Sequence, residues 1–298
     1  MYKRQIQYAD SAMYFAKDRG RNDYRFFAPE MVAQVSRRLA LETSLRQALE
    51  HGELGMAFQP LIDLQSERLC GAEVLLRWQS PEHGAVPPAE FVPILEDTGM
   101  IEPVGLWLLG QVCLQVRAWR DAELPPIFLS VNVSMQQLIR GELCARLGHL
   151  LETLALPPAA FELEITESVF MENAERIGVT LRELRALGIG IAIDDFGTGY
   201  SSFAALSQLP IDKLKIDKVF IERVGSDENA DTLCAAIAAM AHNLRLTVVA
   251  EGVESELQHR RLRAMGCDQA QGYWYGRPVT GDELEEQLRA LARRQSLA

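Results

Sequence analysis

Eight short β-rich runs recur between Met56 and Tyr275, most of them separated by helical stretches, and that cadence narrows the possible folds more than any other feature of the chain. The runs are MAFQPLIDL (56–64), LCGAEVLLRW (69–78), IFLSVNVS (127–134), FELEITES (161–168), IGIAIDDF (189–196), KLKIDKVF (213–220), LTVVAEGV (246–253) and DQAQGYWY (268–275). Between them lie segments of helical spacing such as TLRELRAL (180–187) and TLCAAIAAMAHNL (232–244). Alternation of strand and helix implies mainly parallel β-structure. Several strand cores, Ile189 to Ile193 for example, are apolar at nearly every position, as expected where both faces are covered. Eight such runs in about 250 residues predict an α/β fold of the (β/α)8 barrel type, with an open doubly wound sheet as the alternative.

The chain divides near residue 35. Residues 9–27 (ADSAMYFAKDRGRNDYRFF) read as an amphipathic helix, a Gly-Arg-Asn turn and an aromatic strand, too small a piece to bury a core of its own. Residues 37–50 carry Leu39, Leu41, Leu45, Ala48 and Leu49 at helical spacing and predict a linker helix. The expected organisation is a remnant with linker over 1–34 and the barrel domain over 35–298.

Charge excludes some functions. With 41 acidic against 30 basic residues the net charge is −11, so the chain lacks the basic excess that holds DNA, RNA or an anionic membrane without sequence preference. Five scattered cysteines (Cys70, Cys113, Cys144, Cys234, Cys267) form no Cys-x-x-Cys pair and read as reduced thiols of a cytoplasmic protein rather than a disulfide framework or zinc site. The longest apolar stretches are too short to span a bilayer, and the first residues lack the apolar core of a signal peptide. These features predict a soluble fragment with no membrane contact of its own.

Nearly every predicted strand ends in, or just past, a polar residue that its apolar neighbours do not explain. These are Glu73, Asn132, Glu164 with Glu167, Asp194 with Asp195, Lys215, Glu251 and Gln271. In a parallel barrel the carboxyl ends of the strands open onto one face, so these side chains can converge. Glu73, Asn132, Glu164, Asp194, Asp195 and Glu251 offer hard oxygen ligands, a set suited to Mg2+ or Mn2+. Five carboxylates brought together repel one another unless cations intervene. The adjacent pair Asp194–Asp195 suits two ions, which together can clamp a phosphodiester, and Lys215 would orient the attacking water or stabilise charge on the phosphorane.

Each residue alone has a plainer reading. A single Asp or Glu after a strand is more often a helix N-cap or a surface charge, and Asp217 and Glu254 are assigned to that class. Asn132 alone reads as a turn former, and Lys213 reads as solvated. Alternation cannot separate Lys213, Lys215 and Asp217, which share a strand face. The series carries the argument. FGTGYSS (196–202) suits a mobile loop over the site, or an ordinary turn after the strand. The five histidines show no ligand spacing, and neither a phosphate-cradling glycine pattern nor a nucleophilic triad is evident.

EVLLRW, SVNVS, ELEITES, DDFGTGYSS, KLKID, AEGVE and QGYWYGRP resemble, in the same order, the motifs of the EAL family of cyclic di-GMP phosphodiesterases, across roughly residues 37 to 290. The name-giving triplet is Glu73-Val74-Leu75 here, with valine for alanine, and Phe203 stands where leucine is usual. The resemblance implies a barrel enzyme that opens cyclic di-GMP to linear 5′-pGpG with two divalent cations. It implies Glu73, Asn132, Glu164 and Asp194 as ligands of one ion, with Asp194 bridging to a second that Asp195 and Glu251 help bind. Glu251 is also cast as a general base, Lys215 as the positioner of the water, Gln271 as support of the water network, and Glu167 as the anchor of the loop after Asp195. Gln59 and Arg77 are implied as substrate contacts, Arg77 with phosphate. Members of the family often pair through this domain, so a homodimer is expected.

Residues 9–27 resemble the end of a GGDEF diguanylate cyclase domain. Its signature motif is absent, so no cyclase activity is expected, and upstream GGDEF and sensor domains are expected in a longer parent that itself can be membrane-anchored. Two other readings compete: a receptor that holds cyclic di-GMP without cleaving it, and a metal-dependent enolising enzyme. A protein scaffold leaves the polar strand ends unexplained.

Overall fold

A computed structural model describes residues 29–140, 142–197 and 210–295. The predicted remnant at 9–27 and most of the FGTGYSS loop lie outside the described residues. The described residues form two compact units, one within residues 29–55 and 77–100 and one within 56–76 and 101–295.

In the smaller unit, helix α1 (Pro29–Ala48) continues the predicted linker helix eight residues further towards the N-terminus. It buries Leu41, Leu45 and Ala48. The end of strand β2 (Arg68–Ser80) pairs antiparallel with strand β3 (Gly84–Val86), Trp78 opposite Val86. Trp78 packs edge-on against Phe91 of helix α2 (Pro88–Thr98), with ring centroids 5.8 Å apart. Its indole N–H donates to Glu53 Oε2 at 2.9 Å, which satisfies the one polar atom of a buried ring. Gly99 closes α2 in the left-handed conformation, φ 75°, where a side chain is strained.

The larger unit is the barrel. Its strands are β1 (Leu54–Asp63), β2 (Arg68–Ser80), β4 (Phe128–Asn132), β5 (Phe161–Thr166), β6 (Gly190–Phe196), β7 (Lys213–Ile216), β8 (Thr247–Ala250) and β9 (Gln269–Gln271). They pair in the order β1–β9–β8–β7–β6–β5–β4–β2, and β1 also pairs with β2, so the ring of eight closes. This is the predicted closed barrel rather than an open sheet. The pairs from β2–β4 round to β8–β9 are parallel, whereas β1 runs antiparallel to β9. The reversal follows from local chemistry. Only residues 64–67 separate β1 from β2, too few for a parallel crossover. Asp63 closes that turn by accepting from both the Ser66 backbone N–H and its hydroxyl, each at 2.7 Å.

Except in β2 and β6, the strands stop short of the carboxyl ends of the predicted runs. Strand β7 stops at Ile216 because Asp217 accepts from the Val219 N–H at 2.8 Å and starts helix α7 (Lys218–Ile221). Asp217 is therefore the N-cap the sequence suggests. Around the ring run α3 (Ile101–Asp121), α4 (Met135–Arg140), α5 (Glu142–Thr153), α6 (Glu167–Ala186), α8 (Glu228–Asn243), α9 (Glu256–Ala264) and α10 (Gly281–Gln295). Helix α3 shows the rule that seats them: Val104, Leu108, Leu109, Val112 and Val116 fall on one buried face. The outward strand residues Leu163, Ile165, Ile191 and Ile193 pack in the same continuous core. Burying a Leu or Ile side chain there stabilises by roughly 1.5–3 kcal/mol. Among the described residues no single helix is long and apolar enough to cross a membrane. The five cysteines are free, and burial pushes the Cys113 and Cys234 thiols up to about 11.

Gly272, just past β9, is where backbone meets backbone most closely. A Cβ there would lie 2.1 Å from the Val253 carbonyl oxygen and 2.2 Å from its nitrogen. The same approach lets Val253 N–H donate to the Gln271 carbonyl at 3.0 Å. Gly272→Ala is expected to lower stability by about 2–3 kcal/mol, read as a lower urea midpoint. An unchanged midpoint would show that the two backbones can separate without cost.

Candidate functional site

The parallel register brings the predicted residues to one mouth of the barrel. Glu73 of β2 lies opposite Ser130 of β4, Asn132 opposite Glu164 of β5, and Thr166 opposite Asp194 of β6. Lys215 of β7 is in register with Val249 of β8, just before Glu251. Gln59 joins them because β1 runs backward: Leu61 pairs with Gln271, so Gln59 lies two residues beyond it toward the same mouth.

Lys215 is the centre of the array. Its side chain is 2% exposed, and its Nζ lies 2.6 Å from Glu251 Oε1, 2.7 Å from Glu164 Oε2, 3.2 Å from Asp194 Oδ1 and 4.0 Å from Glu73 Oε2. Burial alone disfavours the ammonium, but Glu164, Glu251, Glu73 and Asp194 outweigh it and hold its pKa well above the ordinary lysine value. Burial, with the neighbouring carboxylates, acts in the other direction on the acids. It raises Glu164, pushes Glu251 up to about 8, and, with Asp194 beside it, pushes Asp195 up to about 6. One ammonium therefore faces five carboxylates, an excess of negative charge that calls for cations.

Amide groups fix the rim. Asn132 Nδ2 donates to Glu73 Oε1 at 2.7 Å, and Gln271 Nε2 donates to Glu73 Oε2 at 2.7 Å and to Gln59 Oε1 at 3.0 Å. Both oxygens of Glu73 are thus oriented. Gln271 Oε1 is a buried acceptor without a partner among the described residues, free to accept from a ligand in the cleft.

Asp194 and Asp195 reach one site through a backbone irregularity. Neighbouring residues of a regular strand point to opposite faces. Here the β6–β7 register shifts between Ile193 and Phe196, and Asp195 takes a positive φ of 55°, the geometry of a bulge that re-aims a side chain. One carboxylate oxygen each from Asp194, Asp195 and Glu251 then lie within 4.8 Å of one another. This donor set, all oxygen and strongly anionic, fits a hard divalent ion and can hold one.

Glu167, at the start of α6, accepts from the Gly197 N–H at 2.8 Å and is 1% exposed. It holds the backbone just after Asp195; residues 198–209 lie outside the described residues. Arg77, half-buried, belongs to the smaller unit. Beside the acids opens a cavity of about 260 Å³ lined by Gln59, Glu73, Glu251, Gln271, Lys218 and Tyr273, with Glu222 and Glu254.

The strand-end reading misses some groups. Lys218 and Tyr273 line the cavity; Lys218 follows directly on KLKID, and Tyr273 lies within QGYWYGRP. Lys213 corrects an expectation: it is 9% exposed, not solvated, and pairs with Glu162 at 2.8 Å. Its place follows from alternation, since Lys213 and Lys215 both face inward. The available signal was the matched i, i+2 pairs Glu162/Glu164 and Lys213/Lys215.

The sequence model of the EAL domain matches residues 42–278. Among curated proteins, the chain is 42% identical over 276 residues to the bifunctional diguanylate cyclase/cyclic di-GMP phosphodiesterase MucR of Pseudomonas aeruginosa, covering 93% of this chain and 40% of MucR. It is 38% identical over 280 residues to the cyclic di-GMP phosphodiesterase PdeR of Escherichia coli, covering 94% of this chain and 42% of PdeR. The chain thus spans about two fifths of the length of these relatives. Among solved structures, the PaMucR phosphodiesterase in its c-di-GMP complex superposes with a TM-score of 0.79 at 40% identity, over 82% of this chain and 99% of that one. The matched model covers most of the chain and takes in every strand of the acidic mouth: this chain belongs to the EAL domain family.

Proposed function

We propose that the chain hydrolyses cyclic di-GMP to linear 5′-pGpG using two divalent cations, Mg2+ or Mn2+. The observation that carries the reading is the convergence at one mouth of a buried ammonium, the four carboxylates around it, Asp195 and Asn132, beside an open cavity, in a chain similar to cyclic di-GMP phosphodiesterases. Glu73, Asn132, Glu164 and Asp194 would hold one ion; Asp194, Asp195 and Glu251 would hold the other. When bound, such ions polarise the phosphodiester and acidify water.

The chain's own groups do the rest. Lys215 lies where it can orient the attacking water and offset charge on the phosphorane. Glu251, within contact of Lys215, accepts the proton of that water. Gln271 orients Glu73 and is itself held by Gln59, and both amides line the cavity, where they contact substrate or ordered water. Glu167 holds the backbone after Asp195, and Arg77 is assigned a substrate phosphate.

The wider assignments belong to the same proposal: a cytoplasmic location, pairing with a second copy through the EAL domain, and upstream GGDEF and sensor domains. Similarity to a bifunctional cyclase/phosphodiesterase and the pattern at residues 9–27 support the upstream cyclase domain.

The direct test is chromatography of cyclic di-GMP incubated with the purified chain and Mg2+ or Mn2+, with and without EDTA. Appearance of 5′-pGpG only with metal is expected, and Glu73→Ala should bring it below detection. Intact cyclic di-GMP that nonetheless binds would replace this reading with that of a receptor. Lys215→Ala is expected to lower kcat about 10²–10³-fold with KM little changed; a raised KM at normal kcat would show that Lys215 serves binding instead. Carboxylate ligands bind metal in the ionised form, and Glu251, pushed up to about 8, keeps its proton at pH 7, whereas Asp195, at about 6, is mostly ionised there. Mn2+ binding at pH 7 is therefore expected to release protons, and affinity should rise as the pH is raised toward 8. Calorimetry in buffers of different ionisation enthalpy measures this, and heats independent of buffer would contradict it.

A further inference from the structure

A second polar layer lies inside the barrel, one step below the mouth. Strand alternation turns Glu162 to the same interior as Glu164, Lys213 to that of Lys215, and Ser130 to that of Asn132. Gly190, in register with Glu162, leaves this carboxylate room: a Cβ there would stand 3.4 Å from Glu162 Oε2. Lys213 Nζ sits 2.8 Å from Glu162 Oε2 and 3.5 Å from the centre of the Phe128 ring. Ser130 Oγ lies 3.2 Å from Glu162 Oε1 and 2.6 Å from Glu164 Oε1. The result is an unbroken polar column, Lys213–Glu162–Ser130–Glu164–Lys215, running along the barrel interior.

Stability is a poor explanation for it. Apolar side chains of similar volume usually stabilise an interior as well as a buried ion pair does, or better. The geometry is instead informative about Glu164. Its Oε2 accepts from Lys215 at 2.7 Å and its Oε1 from Ser130 at 2.6 Å, so each oxygen has its own donor and the carboxylate plane is set. Ser130 has a single hydroxyl hydrogen and two carboxylates in reach. Lys213 offsets the charge of Glu162 at its other oxygen, at 2.8 Å but without a hydrogen bond from its Nζ, and the shorter of the two Ser130 contacts, 2.6 Å against 3.2 Å, is the charge-assisted one to Glu164. Ser130 and Glu164 are each 2% exposed, so water offers no substitute donor.

We infer that Ser130 is a positioning residue for Glu164: its hydroxyl, backed by the Glu162–Lys213 pair, fixes the orientation in which Glu164 meets a divalent cation. Partners that orient metal ligands in this way generally matter about 10–100-fold for metal affinity. The inference rests on the proposed role of Glu164 as a metal ligand, and its test separates the two. Mn2+ alone is titrated calorimetrically into the chain and into Ser130→Ala and Ser130→Thr, with melting temperatures and kcat and KM measured in parallel. Ser130→Ala should bind Mn2+ about 10–100-fold more weakly and lose kcat at nearly constant KM and melting temperature, and Ser130→Thr, which keeps the hydroxyl, should recover both. Parent-like Mn2+ affinity in Ser130→Ala overturns the inference and leaves Glu164's role standing. A loss that follows loss of folded protein and is not recovered in Ser130→Thr overturns it as well. A parent chain that takes up no Mn2+ overturns both.

Discussion

The ammonium of Lys215 is enclosed by Glu251, Glu164, Asp194 and Glu73 at 2.6 to 4.0 Å, and much of the upper barrel answers to that crowding. Carboxylates this close cannot all ionise out of water without compensating charge. Lys215 supplies one positive charge, while burial first, and the neighbouring carboxylates with it, raise Glu164, Glu251 and Asp195. The site is held in electrostatic imbalance by a frame stable enough to maintain it, which is the condition under which hard cations bind.

That frame depends on backbone pairing that leaves each acid little freedom. Parallel register sets Asn132 beside Glu164 and Thr166 beside Asp194, while side-chain amides lock both oxygens of Glu73. Glu164 is held from above by Lys215 and from below by Ser130. An interior containing charged pairs below the mouth departs from the usual apolar filling of such barrels. Its continuity with the acidic mouth joins the lower layer to the site above it.

Much of this was legible in the sequence. The cadence of β runs and helical segments, and apolar stretches such as Ile189–Ile193, implied a barrel covered on both faces, because hydrophobic patterning is a local property. Polar residues interrupting those runs marked Glu73, Asn132, Glu164, Asp194, Lys215 and Glu251, since a strand has no packing use for them. Lys213 and Glu162 escaped: a charged residue in a strand reads as solvated unless its partner, 51 residues away, is known to share the interior. Gln59 stood out only by family resemblance, for its strand does not end at the mouth.

The sequence by itself determined the eight barrel strands, the largely parallel cadence, the chemistry of the ligand set and the family, each written in short motifs that need no long-range information. Tertiary structure alone decided which atoms meet. Alternation would have parted Asp194 from Asp195, and only the register shift on β6 with its positive φ brought both to Glu251. A tight turn reversed β1 and so carried Gln59 to Gln271. Ring closure placed Lys213 against Glu162 and Ser130 between two carboxylates. These outcomes depend on register and closure, which arise from pairing between distant segments and leave no mark on any one of them.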